Sequence, residues 1–290
     1  MTKLPFTPRH DFFIGIDSDG CVFDTMELKH KECFIPHIIN YYELQAISKY
    51  AREAAEFVNL YSRSRGVNRF PALIETFELL RKRPEVAARG VQITIPEQLR
   101  RWIADETKLG NPALEARVAA TSDPELTHAL KWSVAVNRTI ADMVRGVPPF
   151  PFVRESLQRL QGRADLLVCS ATPQEALRAE WAEHEIDQYV AVICGQEDGS
   201  KKEILQLTAP YAPGHALMVG DAWGDYQAAQ ANRCLFFPIC PGREERSWQE
   251  FCEQGLERFL AGTFAGAYEQ QLVAEFERYL PTTPPWEANS

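Results

Sequence analysis

Short, continuously apolar runs occur in two separated parts of the chain. The first, Phe12 to Ile16, stops at the polar tetrapeptide Asp17-Ser-Asp19-Gly20. Four more lie beyond residue 150: Ala164 to Cys169, Tyr189 to Cys194, Ala216 to Val219 and Leu235 to Ile239. Amphipathic helical patterns separate these later runs. Strands that are apolar on both faces and alternate with helices form parallel sheets covered on both sides.

Between the first run and the rest, residues 27–144 read as helical, with breaks at Gly66, Pro71, Pro84, Gly90, Pro96, Gly110 to Pro112 and Pro124. One strand candidate, Val91 to Ile95, lies in this stretch. The segment Gly146-Val-Pro-Pro-Phe-Pro151 cannot continue a helix and reads as a stiff linker. The expected fold class is therefore α/β: a Rossmann-like parallel sheet with helices on both faces, made of residues 1–23 and 151–290, with a helical domain of residues 24–150 inserted after the first strand. Helical patterning and aromatics from Pro241 through Leu280 point to packing against the sheet. The tail from Pro281 to Ser290 is expected to be disordered.

Composition narrows the function classes. With 290 residues, 45% of them hydrophobic, the chain can bury a full core without cross-links. Its seven cysteines are scattered and include no C-x-x-C pair, which argues against a disulfide framework or zinc ribbon and for a reducing, cytoplasmic setting. No segment has the length of a membrane span. A net charge of −9 works against binding nucleic acid but allows a small anionic substrate where cations are concentrated in one cleft. The six histidines show no metal-ligand spacing.

The ends of the apolar runs carry the candidate chemistry. Open parallel sheets bind ligands beyond the carboxyl ends of their strands, and the tetrapeptide Asp17 to Gly20 belongs there. Two carboxylates one residue apart can face one pocket in different protonation roles. Taken alone, the tetrapeptide reads equally as a solvated acidic turn. The next run ends in Ser170-Ala171-Thr172-Pro173, whose hydroxyl and backbone N–H groups suit phosphate oxygens at a helix N-terminus, although a lone serine there is more often a cap. Tyr189 to Cys194 leads into Gly199-Ser-Lys201-Lys202, which supplies a cation before a helix. Ala216 to Val219 ends in Gly220-Asp221-Ala-Trp-Gly-Asp225, a second acidic group.

These four motifs, in this order, resemble those of the haloacid dehalogenase-like superfamily of phosphotransferases. The resemblance rests on DSDGCVFDT at 17–25, Ser170 in VCSAT, the lysine of GSKKEIL, and Asp221 and Asp225 in MVGDAWGD. The place of the insert resembles the helical cap of the phosphoglycolate phosphatase and beta-phosphoglucomutase branch. The resemblance implies that Asp17 attacks phosphorus to give an aspartyl-phosphate and that Asp19 serves as general acid and base. It implies Mg²⁺ on Asp17, the Asp19 backbone carbonyl and Asp221, with Asp225 as a further ligand or as a partner behind the ligands, and with Ser170, the Ala171 backbone and a lysine holding the transferred oxygens. The family spacing favours Lys201 over Lys202. Asp24 also matches a family position, but fits equally well as a helix N-cap with Glu27 at N3.

Asp19 favours phosphate over halide chemistry, because an alkoxide leaving group needs a proton and a halide does not. The expected function is magnesium-dependent hydrolysis of a small phosphorylated metabolite. The alternatives are a phosphomutase of the beta-phosphoglucomutase type and a non-catalytic phosphate-binding regulator. For the insert, Arg65 and Arg69 in Tyr61 to Phe70 are candidate substrate contacts, since guanidinium forks suit carboxylates and phosphates. A solvated helix end is the other reading of that segment.

Overall fold

The computed structural model of the chain describes residues 6–287. It divides into two compact units, one of residues 6–26 with Arg145–Pro281, the other of Glu27–Val144 with residues 282–287.

The first unit is built on five parallel strands: β1 (Phe13–Ile16), β2 (Asp165–Cys169), β3 (Val192–Cys194), β4 (Ala216–Gly220) and β5 (Leu235–Pro238). Their order across the sheet is β3-β2-β1-β4-β5. The sheet is in register from Ile16↔Val168 on one side of β1 to Ile16↔Val219 on the other. Alternate residues of the same strands feed two separate cores. Ile14, Ile16, Leu166, Val168, Leu217 and Val219 pack on one face, where Trp181, Trp248, Phe251 and Phe259 join them. Phe13, Leu167, Cys169 and Met218 pack on the other face with Leu205, Phe236 and Phe276. This two-sided burial is why the strands read as unbroken apolar runs.

The expected strand from Tyr189 is shorter. Asp187–Tyr189 form a 3-10 turn, and pairing to β2 begins with the hydrogen bond from Ala191 N–H to the Leu166 carbonyl, so the ladder takes only the end of the apolar run. The proline linker is pinned within this unit. Pro149 bridges Phe23, the Phe150 N–H donates to the Val22 carbonyl at 2.9 Å, and Phe152 turns the chain at φ 69° into the helix Val153–Leu160.

The second unit is helical. Its core is made by the helices Ile35–Tyr41, Ser48–Leu60, Arg69–Lys82, Glu97–Asp105, Asn111–Thr121 and Pro124–Met143. The strand expected at Val91 to Ile95 does not form; the segment is irregular, with Ile95 buried. An isolated strand has no partner for its backbone groups, and no other described residue of this unit is in a strand.

The tail also departs from expectation. Trp286 lies 4.3 Å from the Arg83 guanidinium and packs edge-on to Phe57, while Tyr50 covers Arg83 at 4.7 Å. Trp286 thus meets a buried cation and a ring of the second unit. The last three residues of the expected tail lie outside the described residues.

All seven cysteines are buried free thiols. Among the described residues no helix is long and apolar enough to cross a membrane.

At the amino end of the sheet, Asp165 is buried and accepts from the Arg9 and His10 N–H groups at 2.9 and 3.1 Å and from the Tyr211 hydroxyl at 2.6 Å, with the His10 ring at 2.9 Å. Burial pushes its carboxyl up. The Tyr211 hydroxyl, the Arg9 N–H and His10 outweigh that and hold it below the ordinary carboxylate value. A depressed folded pKa stabilises the fold above the unfolded pKa, and this contribution disappears as pH falls through the folded value. Asp165→Asn is therefore expected to cost about 1–3 kcal/mol at neutral pH. Urea denaturation of the two proteins should show the gap closing as the solution is acidified into and below the carboxylate range; a gap independent of pH would contradict this account.

Candidate active site

The chain leaves β1 toward β2 and β3 on one side and later places β4 and β5 on the other, so the order reverses at β1. At such a reversal the connections diverge and leave a crevice beyond the strands' carboxyl ends. Asp17 follows β1 directly and stays in the ladder through its N–H, which donates to the Val219 carbonyl at 3.0 Å. Asp221 follows β4 directly, and Asp225 comes from the first turn of the helix Trp223–Ala231.

These three carboxylates are buried, and each contributes an oxygen to a cluster within 4.8 Å. Lys201, the first residue of the helix Lys201–Ile204, joins them: its Nζ lies 2.5 Å from Asp17 Oδ2 and 2.5 Å from Asp225 Oδ1. Lys202 is exposed, since one step along a helix turns a side chain by about 100°. The lysine on the acidic cluster is Lys201.

Burial pushes the Asp17 carboxyl well above its usual value; Lys201 pulls it down, and Asp225 and Asp221 push it up again. The same ion pairs outweigh burial at Lys201 and hold its ammonium firmly charged. Asp225 is fixed at both oxygens, accepting from Lys201 at Oδ1 and from the Ala222 N–H at Oδ2, 3.0 Å away. Its side chain occupies the space a Cβ at residue 220 would need, 2.5 Å from Asp225 Oδ2, so glycine is required there.

Asp19 is held differently. Its Oδ1 accepts the Thr25 hydroxyl at 2.5 Å and its Oδ2 the Thr172 hydroxyl at 2.6 Å. Gly20 follows at φ 76°, in the left-handed region, and turns the loop so that its N–H reaches the Phe23 carbonyl at 2.8 Å. Ser170 is buried beyond β2, with its Oγ accepting the Thr172 N–H at 3.3 Å, and Ala171 is exposed beside it. The first helical N–H that follows, from Gln174, donates to Glu197 Oε2 at 2.9 Å. A side-chain carboxylate therefore already caps that helix.

Asp17, Asp221, Asp225 and Lys201 thus form one cluster, while Asp19 and Ser170 are linked through Thr172. Arg65 and Arg69 have internal partners in the second unit. Arg65 is buried and donates to the Leu60 carbonyl at 2.9 Å. Arg69 donates to Ser133 Oγ at 2.9 Å and Asn137 Oδ1 at 2.6 Å and lies over the Phe34 ring. The Arg69 bonds join the helices Arg69–Lys82 and Pro124–Met143, while the Arg65 bond closes the turn after the helix Ser48–Leu60, so both arginines contribute to the second unit's packing. Glu27, weighed as a capping residue, instead pairs with Tyr61 and Lys31. Thr25 and Thr172, which hold Asp19, carry no sequence signal of their own beyond adjacency to the motifs.

The donor set suits a divalent cation that prefers oxygen. Three buried carboxylates with one ammonium leave an excess of negative charge, and no thiol or imidazole belongs to the cluster.

No family model matches the chain, and no curated protein matches it. Solved structures similar to it include a HAD-superfamily hydrolase of subfamily IA from Geobacter sulfurreducens PCA, 16% identical over 79% of this chain and 87% of that one, with a TM-score of 0.39. Another is a haloacid dehalogenase-like family hydrolase from Streptococcus pneumoniae, 12% identical over 82% and 90%, with a TM-score of 0.44. A third is a predicted phosphoglycolate phosphatase from Haemophilus somnus 129PT, 14% identical over 78% and 84%, with a TM-score of 0.43.

Removing the one cation from the cluster leaves three buried carboxylates facing one another. Lys201→Met is expected to destabilise the protein by about 3–5 kcal/mol at neutral pH in metal-free buffer, measured by chemical denaturation. A change below about 1 kcal/mol would show that the ion pairs do not hold the cluster together.

Proposed function

We propose that the chain is a magnesium-dependent phosphatase of the haloacid dehalogenase-like superfamily, acting on a small phosphorylated metabolite. The observation that carries this reading is the Lys201 bridge between Asp17 and Asp225, set with Asp221 at the reversal point of a parallel sheet. A lone acidic turn needs neither burial nor a shared ammonium.

In this reading Asp17 is the nucleophile. Its Oδ1 accepts the Ser18 N–H at 2.8 Å, and its Oδ2 is held by Lys201, so the carboxylate has a fixed direction of attack. Lys201 then has two tasks: it balances the carboxylates in the resting site and lies where a transferring phosphoryl oxygen would need a cation. Ser170 and the Ala171 backbone complete the phosphate cradle. Asp19 is the acid and base; the Thr25 and Thr172 hydroxyls each take one acceptor site on its two oxygens and orient the carboxyl, leaving a second site on each oxygen to carry the proton. Asp17, Asp221 and Asp225, with the Asp19 carbonyl, would hold Mg²⁺, which when bound offsets the repulsion between a carboxylate nucleophile and a phosphate dianion.

The purified protein is expected to hydrolyse p-nitrophenyl phosphate in the presence of Mg²⁺ and to lose that activity on chelation with EDTA. Asp17→Asn should reduce kcat by more than about a thousandfold, and Asp19→Asn by about a hundredfold or more. Turnover that survives in Asp17→Asn, or that is indifferent to EDTA, would refute the mechanism. A following screen of phosphorylated metabolites, with phosphate release and isomerised sugar phosphate both measured, separates transfer to water from transfer to a sugar.

A further inference from the structure

The residue between the two aspartates is held by its own contacts. Ser18 is fully buried. Its Oγ accepts the indole N–H of Trp181 at 3.0 Å and donates to Glu180 Oε2 at 3.4 Å. Its carbonyl accepts the N–H groups of Val22 at 2.8 Å, Phe23 at 3.2 Å and Cys21 at 3.3 Å. A second indole, that of Trp248, donates to the Cys21 carbonyl at 2.7 Å. Trp181 lies on the helix Gln174–Glu183, which follows the Ser170 loop, and Trp248 on the helix Glu244–Glu250.

Indole bonding elsewhere in the chain provides the contrast. Trp102, Trp132, Trp181 and Trp248 are among the largest fully buried side chains. The indole nitrogens of Trp102 and Trp132 are buried with no hydrogen-bond partner. Burial alone therefore does not give an indole a partner in this protein. Trp181 and Trp248, in the first unit, both donate to the loop that follows β1, at residues 18 and 21.

We propose that Trp181 is a positioning residue that acts through Ser18 to fix the two carboxylates of the Asp17-Ser18-Asp19 segment; this rests on the phosphatase reading of that segment. The Ser18 side chain goes to Trp181 and Glu180, that of Asp17 to the carboxylate cluster and that of Asp19 to two threonine hydroxyls, so the three side chains are held by separate sets of partners. Anchoring the Ser18 side chain to a large buried ring restrains rotation of the peptides on both sides of it. That rotation would move the nucleophile relative to the acid, and small misplacements of reacting groups cost large factors in rate. Ser18 suits this position because its short side chain both accepts from Trp181 and donates to Glu180. The ring of Trp181 also packs edge-on against Phe23 at 6.1 Å, so Trp181→Phe removes the N–H while keeping an aromatic ring in the core.

Steady-state kinetics on p-nitrophenyl phosphate with Mg²⁺ test the proposal in the full-length wild type, W181F, S18A, the S18A/W181F double variant, S18T and, as control, W102F. Measurements are made well below each protein's Tm. Each single substitution removes the Ser18–Trp181 bond, and S18A the Glu180 bond as well, so if W181F does not fold, S18A tests the anchoring of Ser18 as a whole. The expected result is a kcat lowered about tenfold in W181F and S18A with KM changed less than twofold, no further loss in the double variant, partial recovery in S18T, and wild-type kinetics in W102F. Unchanged kcat with a lowered Tm in W181F would make the bond purely structural and overturn the proposal. So would multiplied losses in the double variant, or an effect confined to KM. A wild type that hydrolyses nothing overturns the phosphatase reading and the positioning role with it, whereas an active wild type with an equally active W181F overturns the positioning role alone.

Discussion

Burying several like charges at one point is the constraint around which the first unit is arranged. Asp17, Asp221 and Asp225 come from two adjacent strands and a helix, and each has lost water. Taken together without a cation they would repel and protonate. Lys201 answers this from a third direction, at the start of a helix that follows β3. Its short reach to two carboxylates requires β1, β4 and the segment after β3 to converge at one end of the sheet, and the strand order β3-β2-β1-β4-β5 provides that convergence. The two apolar cores hold the strands in that order.

Close packing then decides details that charge does not. Gly220 leaves room for the Asp225 side chain, which lets that carboxylate face Lys201 and accept the Ala222 N–H together. Hydroxyls of Thr25 and Thr172 occupy both oxygens of Asp19, so the two aspartates of one tetrapeptide have opposite environments: one is tied to an ammonium inside a carboxylate cluster, the other to neutral donors. Environments that differ in this way allow identical side chains to take different roles. The buried hydrogen bonds of Trp181 and Trp248 lie behind the same loop and connect it to the hydrophobic core, which makes the loop continuous with the packing of the sheet.

Much of this was legible in the chain itself. Continuous apolar runs with helical spacers dictated a parallel sheet covered on both faces, because only two-sided burial removes the polar alternation from a strand. Polar groups at the carboxyl ends of those runs marked Asp17, Asp19, Ser170, the Lys201-Lys202 pair and Asp221, since the chain direction of parallel strands puts all their ends on one side. The tertiary structure decided what local pattern cannot encode. Val91 to Ile95 has the composition of a strand but no neighbour to pair with, and strand formation depends on that neighbour. Arg65 and Arg69 look like anion ligands in sequence, and only the fold shows that each also bonds within its own unit, to Leu60 in one case and to Ser133 and Asn137 in the other. The described part of the tail is polar and proline-rich, but Trp286 docks on Arg83, a partner some two hundred positions away.

The same distinction applies to the Asp17-Ser-Asp19-Gly20 segment. Sequence determined that two carboxylates stand one residue apart after a buried strand, because that depends only on neighbours along the chain. Which cation balances the first, which hydroxyls hold the second and which indole anchors the serine between them were decided by folding. Lys201 is 184 residues from Asp17 and Trp181 is 163 residues from Ser18, and contacts across such separations exist only once the sheet has brought β1, β2 and β4 side by side.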